Sequence, residues 1–259
     1  MTSDITKKKS RIPFSGMFGT RRVFVAYIIC WSITVATMVA SIVSSLAPPA
    51  NSTEKMIEHI ALCVVAIVFM HIPVRMYTKM DFHIPPFIQI IIAFFIVAHF
   101  VLGEVYRFYD YVFFFDKVLH VTAGTVMTMC GFSIVYGYSK SESGAVRLSP
   151  FFFAMFSFCF AVTLMTLWEI FEYSVDRFLG YNMQRWKDGW LEGSEEVVGG
   201  VTYMKTVYYQ GAGLKDTMTD IIAGTVSAAV ISVIGGLWFK KNQNFSKYLL
   251  IRKKNGRHK

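Results

Sequence analysis

The sequence predicts an all-α polytopic integral membrane protein, a bundle of about six transmembrane helices. Three observations carry that prediction. Six apolar runs each approach the roughly 20 residues that a helix needs to cross a bilayer. Charged residues make up 17% of the chain, against about 25% in a soluble domain. The basic residues gather at the two ends instead of spreading along the chain. The net charge of +9 therefore describes flanks that set topology and touch anionic lipid. No nucleic-acid partner is expected.

In chain order, a basic arm at residues 1–22 carries Lys7, Lys8, Lys9, Arg11, Arg21 and Arg22. The six spans fall at 23–47, 57–74, 84–103, 116–138, 150–174 and 217–239, together the bundle 23–239, and a basic tail occupies 240–259. The first apolar run is long and lacks an Ala-x-Ala-like site, so it reads as a retained span. Pro73, Pro85 and Pro86 read as punctuation at the ends of the second and third spans. Arg75, Lys79, Lys140 and Arg147 lie in loops on the same side as both termini. The positive-inside rule makes that side cytoplasmic, and the protein a multi-pass resident of the cell (inner or plasma) membrane.

The opposite side holds the long connection 177–215, where Trp186 and Trp190 flank Lys187 and Asp188. This reads as an interfacial segment broken by Gly199-Gly200 and by Gly211 and Gly213. Asn51-Ser52-Thr53 has the form of a glycosylation sequon, but it sits against the membrane and reads as an ordinary loop. Cys30, Cys63, Cys130 and Cys159 all fall inside apolar runs with no paired spacing, which makes them packing residues.

The candidate site comes from ionisable residues inside the spans, which are costly there and mark function by default. Glu169, Glu172 and Asp176 close the fifth span at helical spacing, so all three carboxylates share one face. Asp116 and His120 open the fourth span, and Asp216 and Asp220 open the sixth, each pair four residues apart. With the topology above, all seven residues converge at one depth in the outer half of the membrane. His99, toward the outer end of the third span, is a further candidate for the pocket, and His59 in the second span is a weaker one.

Six carboxylates in such a place need compensation: protons, cationic side chains such as Lys117, Arg177 or Lys215, or a bound cation. Carboxylates and imidazole from facing helices suit manganese, iron or zinc. His120, Glu169, Glu172 and Asp220 are the expected ligands, with Asp116 and Asp216 as acid or base. Plainer readings stand beside these. Asp116 and Asp216 could be helix N-terminal caps, Asp176 with Arg177 an interfacial ion pair, and His120 a hydrogen-bonded bundle histidine. The whole set could be a structural network holding three helices together. No phosphate-cradling glycine loop, serine elbow or His-Glu-x-x-His motif is present.

Asp116-x-x-x-His120-x-x-x-Gly124, Glu169-x-x-Glu172, Gln210-Gly211 and Asp216-Thr217-x-x-Asp220-x-x-Ala223 resemble the YjdF-like inner-membrane proteins of bacteria. They are also loosely similar to the VanZ-like membrane proteins. The resemblance covers roughly residues 105–236. Where the family often has an acidic residue after the glycine, this chain reads Ala212-Gly213-Leu214-Lys215. The resemblance implies a bacterial multi-pass helical protein and no particular reaction. The residues themselves suggest a cation-dependent hydrolase or transferase acting on a lipid or lipid-linked polar group. A proton- or cation-coupled permease is the alternative, and a structural or accessory membrane protein the third.

Overall fold

Every run expected to cross the bilayer is helical in the computed structural model, which describes residues 20–46, 52–79, 82–139, 148–186, 194–205, 212–241 and 252–253. Among the described residues, six helices are long and apolar enough to span a membrane, and the fold there is all-α apart from short ribbons. A helix satisfies its own backbone in lipid, which is why this architecture follows from the composition.

The chain divides into two compact units, one built on its first three spans and one on its last three. The first contains α1 (Arg21–Ser45), α2 (Ser52–Lys79), β1 (Phe82–His83) and α3 (Pro86–Val97), whose span is continued by a π-helical segment, Ala98–Val105. It also includes the single turn α4 (Phe108–Tyr111) and β4 (Arg252–Lys253), which pairs with β1. Thr20 caps α1 by accepting a hydrogen bond from the Val23 amide, leaving one fewer orphan donor at the helix start. The core packs Val23, Tyr27 and Cys30 of α1 against Ala66 and Met70 of α2 and Ala93 and Val97 of α3. Pro73 lies inside α2, not at its end as expected; other groups can satisfy the freed carbonyl within a membrane protein.

The second unit is built on α5 (Phe115–Ser139), α6 (Pro150–Leu179) and α7 (Ala212–Lys241). Ser149 caps α6 through the Phe152 amide, Pro150 occupies the first helical position, and Gly180 ends the helix with a left-handed φ of 73°, a conformation that suits glycine. Phe132, Val135, Tyr136 and Phe153 form an apolar cluster joined by Phe239. These contacts make α6 antiparallel to α5 and α7. The other end of the three helices is left for polar residues.

Both α6 and α7 overrun their expected limits. Hydropathy locates the hydrocarbon crossing, while helical hydrogen bonding continues into the headgroup region at no extra cost. The connection between them contains a hairpin, β2 (Ser194–Val198) with β3 (Val201–Lys205). Gly199 and Gly200, with φ of 63° and 81°, form the tight two-residue turn that such a hairpin favours. The expected interfacial role of Trp190 lies outside the described residues.

Candidate functional site

The α6 stripe is formed as its spacing requires. Glu169, Glu172 and Asp176 are buried, whereas Leu167, Trp168, Ile170, Phe171 and Tyr173 around them are exposed. One face therefore carries carboxylates into the unit and the other offers apolar and aromatic surface to lipid. At about 1.5 Å per residue, Glu169 lies about 15 Å along the helix from Leu179.

Close packing of α5 on α7 sets the depth at which their polar residues meet. Gly124 lies four residues after His120, and Gly224 four after Asp220, so each glycine shares a face with its ligand candidate. A Cβ on Gly124 would strike the Gly224 carbonyl and the Ser227 hydroxyl, and one on Gly224 would strike the Met165 thioether. Small residues of this kind let membrane helices approach backbone to backbone.

Lys117 stands at the centre of the polar end. Its ammonium donates to Asp116 Oδ2 at 3.0 Å, Asp216 Oδ1 at 3.0 Å and Asp220 Oδ1 at 2.7 Å. His120 lies directly beneath. Its Nε2 is 3.5 Å from Asp116 Oδ1 and 3.7 Å from Asp220 Oδ1, and its Nδ1 is 3.8 Å from Glu169 Oε1. Donor atoms of Asp116, His120 and Asp220 all fall within 4.8 Å of one another. Among the described residues, α5 and α7 thus bring three potential cation donors together, with Glu169 of α6 beside His120.

Glu169 and Glu172 have different surroundings. Glu172 Oε1 accepts a 2.7 Å hydrogen bond from the Trp168 indole, the i, i+4 neighbour on its own helix. Glu169 is only 4% exposed, and neither carboxylate oxygen has a hydrogen-bond partner of ordinary geometry, although the Thr217 hydroxyl faces it. A buried carboxylate left so nearly bare is costly unless something completes it.

Asp176 has another role. It accepts from the Met183 amide at 2.7 Å and the Gln184 amide at 2.8 Å, folding the chain back after Gly180. Gln184 in turn donates to Thr217 at 2.6 Å. This tethers the α6 exit to the start of α7. Asp176 is an anchor for that turn, and the ion pair with Arg177 is not its function here. Arg185, held at a left-handed φ of 50°, faces Asp216.

His120, Glu169 and Asp220 converge as the spacing predicts, with Glu172 buried on the same stripe. Asp116 and Asp216 are not simple caps. Asp216 lies inside α7, a full turn beyond its start at Ala212, and both carboxylates bind Lys117. His99 is placed in the first unit, where its Nδ1 is hydrogen-bonded to the Tyr109 hydroxyl. His59 is there too, 3.2 Å from Ser41 Oγ. Sequence reasoning named Lys117 only as one of three candidate counter-charges; Arg177 and Lys215 are exposed. It missed Gln184 and Thr217, whose pairing across 33 residues leaves no local pattern.

A family model described as "Predicted membrane protein (DUF2238)" matches residues 29–241, a stretch that contains α5, α6 and α7 whole. The chain belongs to that family. The DUF2238 match bears out the YjdF-like resemblance carried by the same helices. An "Uncharacterized protein" of Thermotoga maritima is 31% identical over 134 residues, which are 50% of this chain and 66% of that relative. The match thus spans just under two thirds of the relative's length. No solved structure matches the chain.

Proposed function

We propose that this DUF2238 protein binds a divalent cation between α5, α6 and α7 and acts with it as a hydrolase or transferase. Its substrate class is a lipid or lipid-linked polar group reaching the site from the outer leaflet. The observation that carries the reading is the Asp116, His120 and Asp220 donor group with the nearly bare, buried Glu169 beside it. Lys117 binds three carboxylates, Asp116, Asp216 and Asp220, while Glu169 and Glu172 lie buried on the facing stripe of α6. Carboxylates gathered in a low-dielectric setting with fewer cations than acids take up protons or a cation, and the donor geometry favours a cation here. Oxygen donors with one imidazole suit manganese, iron or zinc, and such an ion supplies Lewis acidity and an activated water. Asp216, outside the donor group, is the candidate acid or base.

A proton- or cation-coupled permease is the second reading. It is favoured by the ammonium of Lys117 bridging three carboxylates, an arrangement that uptake of a proton or ion would loosen. The position of the cluster near the helix ends, away from the midplane where transporter sites usually sit, weighs toward the enzyme. In both readings the chain spans the cell membrane with its termini in the cytoplasm.

The test is metal content and thermal stability of the purified chain. Manganese or zinc raises the melting temperature of wild type, because a ligand of the folded state alone stabilises it by mass action. Glu169→Gln and Asp220→Asn insert and fold but lose the rise, since an amide is a poor replacement for a carboxylate ligand. If the purified protein holds no metal and all three melt alike with and without cations, the enzyme reading yields to the permease.

A further inference from the structure

We propose that Lys117 is a tethered competitor for the cation, occupying with its ammonium the oxygens that a divalent ion would take, and so setting the affinity of the site. This rests on the cation-binding reading above and deepens it. The geometric ground is shared atoms. Asp220 Oδ1, which faces His120 Nε2 at 3.7 Å, is the oxygen that receives the shortest bond from Lys117 Nζ, at 2.7 Å. Asp116 gives one oxygen to each partner, Oδ1 toward His120 and Oδ2 toward Lys117. An ion held by Asp116, His120 and Asp220 would lie against the ammonium that holds Asp220 Oδ1 at bonding distance, so the two positive charges compete for the same carboxylates. Glu169 supports a true ion position, because it is buried and nearly bare yet lies beyond the ammonium's bonds.

The competitor is built to leave. Lys117 lies in the first turn of α5, and its side chain is 32% exposed, so its long stem can carry the charge out toward the headgroups. Displacement therefore moves the ammonium to water without stranding it. It also leaves a cation at the mouth of the site, where an anionic part of a substrate would arrive.

Occupancy converts directly into affinity. A site whose oxygens are free only about one time in a hundred binds its ion about a hundredfold more weakly than the bare site. The three charge-assisted bonds of Lys117 make an effect between about tenfold and a hundredfold the expected range.

The experiment is a Mn²⁺ titration of the full chain in detergent, following free Mn²⁺ by its magnetic resonance signal. Wild type, Lys117→Met, Lys117→Arg, Lys215→Met and Asp220→Asn are compared. Lys117→Met is expected to bind at least tenfold tighter than wild type. Lys117→Arg, which keeps a cation in place, gains nothing. Lys215→Met removes a positive charge from the exposed surface of α7 and changes binding less than threefold. Asp220→Asn loses binding. Lys117→Gln serves as the second variant if the methionine form does not fold.

Binding by Lys117→Met alone, with none by wild type, supports the proposal in its strongest form. If wild type binds and Lys117→Met binds no tighter, the competitor proposal falls while the cation site stands. If Lys215→Met gains as much as Lys117→Met, the effect is general charge and the proposal falls likewise. If no variant binds Mn²⁺, both readings fall together.

Discussion

Replacing Lys117 with methionine is the perturbation to which the site is most sensitive in the absence of metal. The change strands Asp116, Asp216 and Asp220 without their shared counter-charge. Removing one partner of a buried pair costs about 3–5 kcal/mol; with the lysine side chain 32% exposed, the lower end applies. Asp220→Asn is far milder, although Asp220 is buried to within 1%. The amide oxygen still accepts from Lys117, and Asp116 and Asp216 still hold the ammonium. The loss is the difference between a charge-assisted and a neutral hydrogen bond, about 1 kcal/mol, and weaker repulsion among the carboxylates offsets part of it. At about 2–4 °C per kcal/mol for a chain of this size class, Lys117→Met lowers the melting temperature by about 6–12 °C and Asp220→Asn by less than about 4 °C. The double variant should be less damaged than the sum, because only two carboxylates are then stranded. Thermal unfolding of the full chain in detergent with a chelator present measures all three. Equal losses from the two single variants, with additivity in the double, would refute the placing of Lys117 at the hub.

Other outcomes follow from the same packing. Gly124→Val drives a side chain into the Gly224 carbonyl and should cost about 1–3 kcal/mol, while Gly224→Ala meets chiefly the far end of the flexible Met165 side chain, with the His120 carbonyl at ordinary contact distance, and should melt within a few degrees of wild type. Asp176→Ala leaves the Met183 and Gln184 amides without their acceptor. It should cost about 1–3 kcal/mol and speed limited proteolysis in residues 180–186. In a cysteine-free background, Tyr181→Cys should label from outside intact cells and Lys241→Cys should not; the reverse pattern would invert the proposed topology.

The sequence and the structure agree where the signal is periodic and local. Glu169, Glu172 and Asp176 share a face because a helix repeats every 3.6 residues, and burial of that face required only that its opposite side suit lipid. The same logic paired Asp116 with His120 and Asp216 with Asp220. Roles set by contacts between distant segments were not legible. Asp176 carries the spacing of a ligand, yet it is claimed by two amides of a turn whose closure no periodicity announces. His99 is engaged by the Tyr109 hydroxyl ten residues on, a contact that no helical period predicts. The hairpin was readable in principle: Gly199-Gly200 between Val197-Val198 and Val201-Thr202 is a two-residue turn flanked by β-branched residues. Read as a break in an interfacial segment, the glycines hid it.

What joins the fold to the proposed chemistry is the four-residue interval after each ligand candidate. His120 and Gly124 on α5, and Asp220 and Gly224 on α7, stand one helical turn apart on the same faces. Where two glycines oppose each other, the helices approach until backbone meets backbone, and one turn toward the membrane surface the ligand side chains must then meet as well. With larger residues at the crossing, the helices would stand farther apart, and His120 could not lie 3.7 Å from Asp220. The apolar cluster of Phe132, Phe153 and Phe239 fills the opposite end, where Gly131 lies against Ser157 and Gly235 against the Phe132 ring, so the three helices are held close at both ends. A scaffold of that shape brings carboxylates together against their own repulsion. It is the packing that gathers the acids, and their charge is answered by Lys117, by protons or, in the proposed function, by a bound ion.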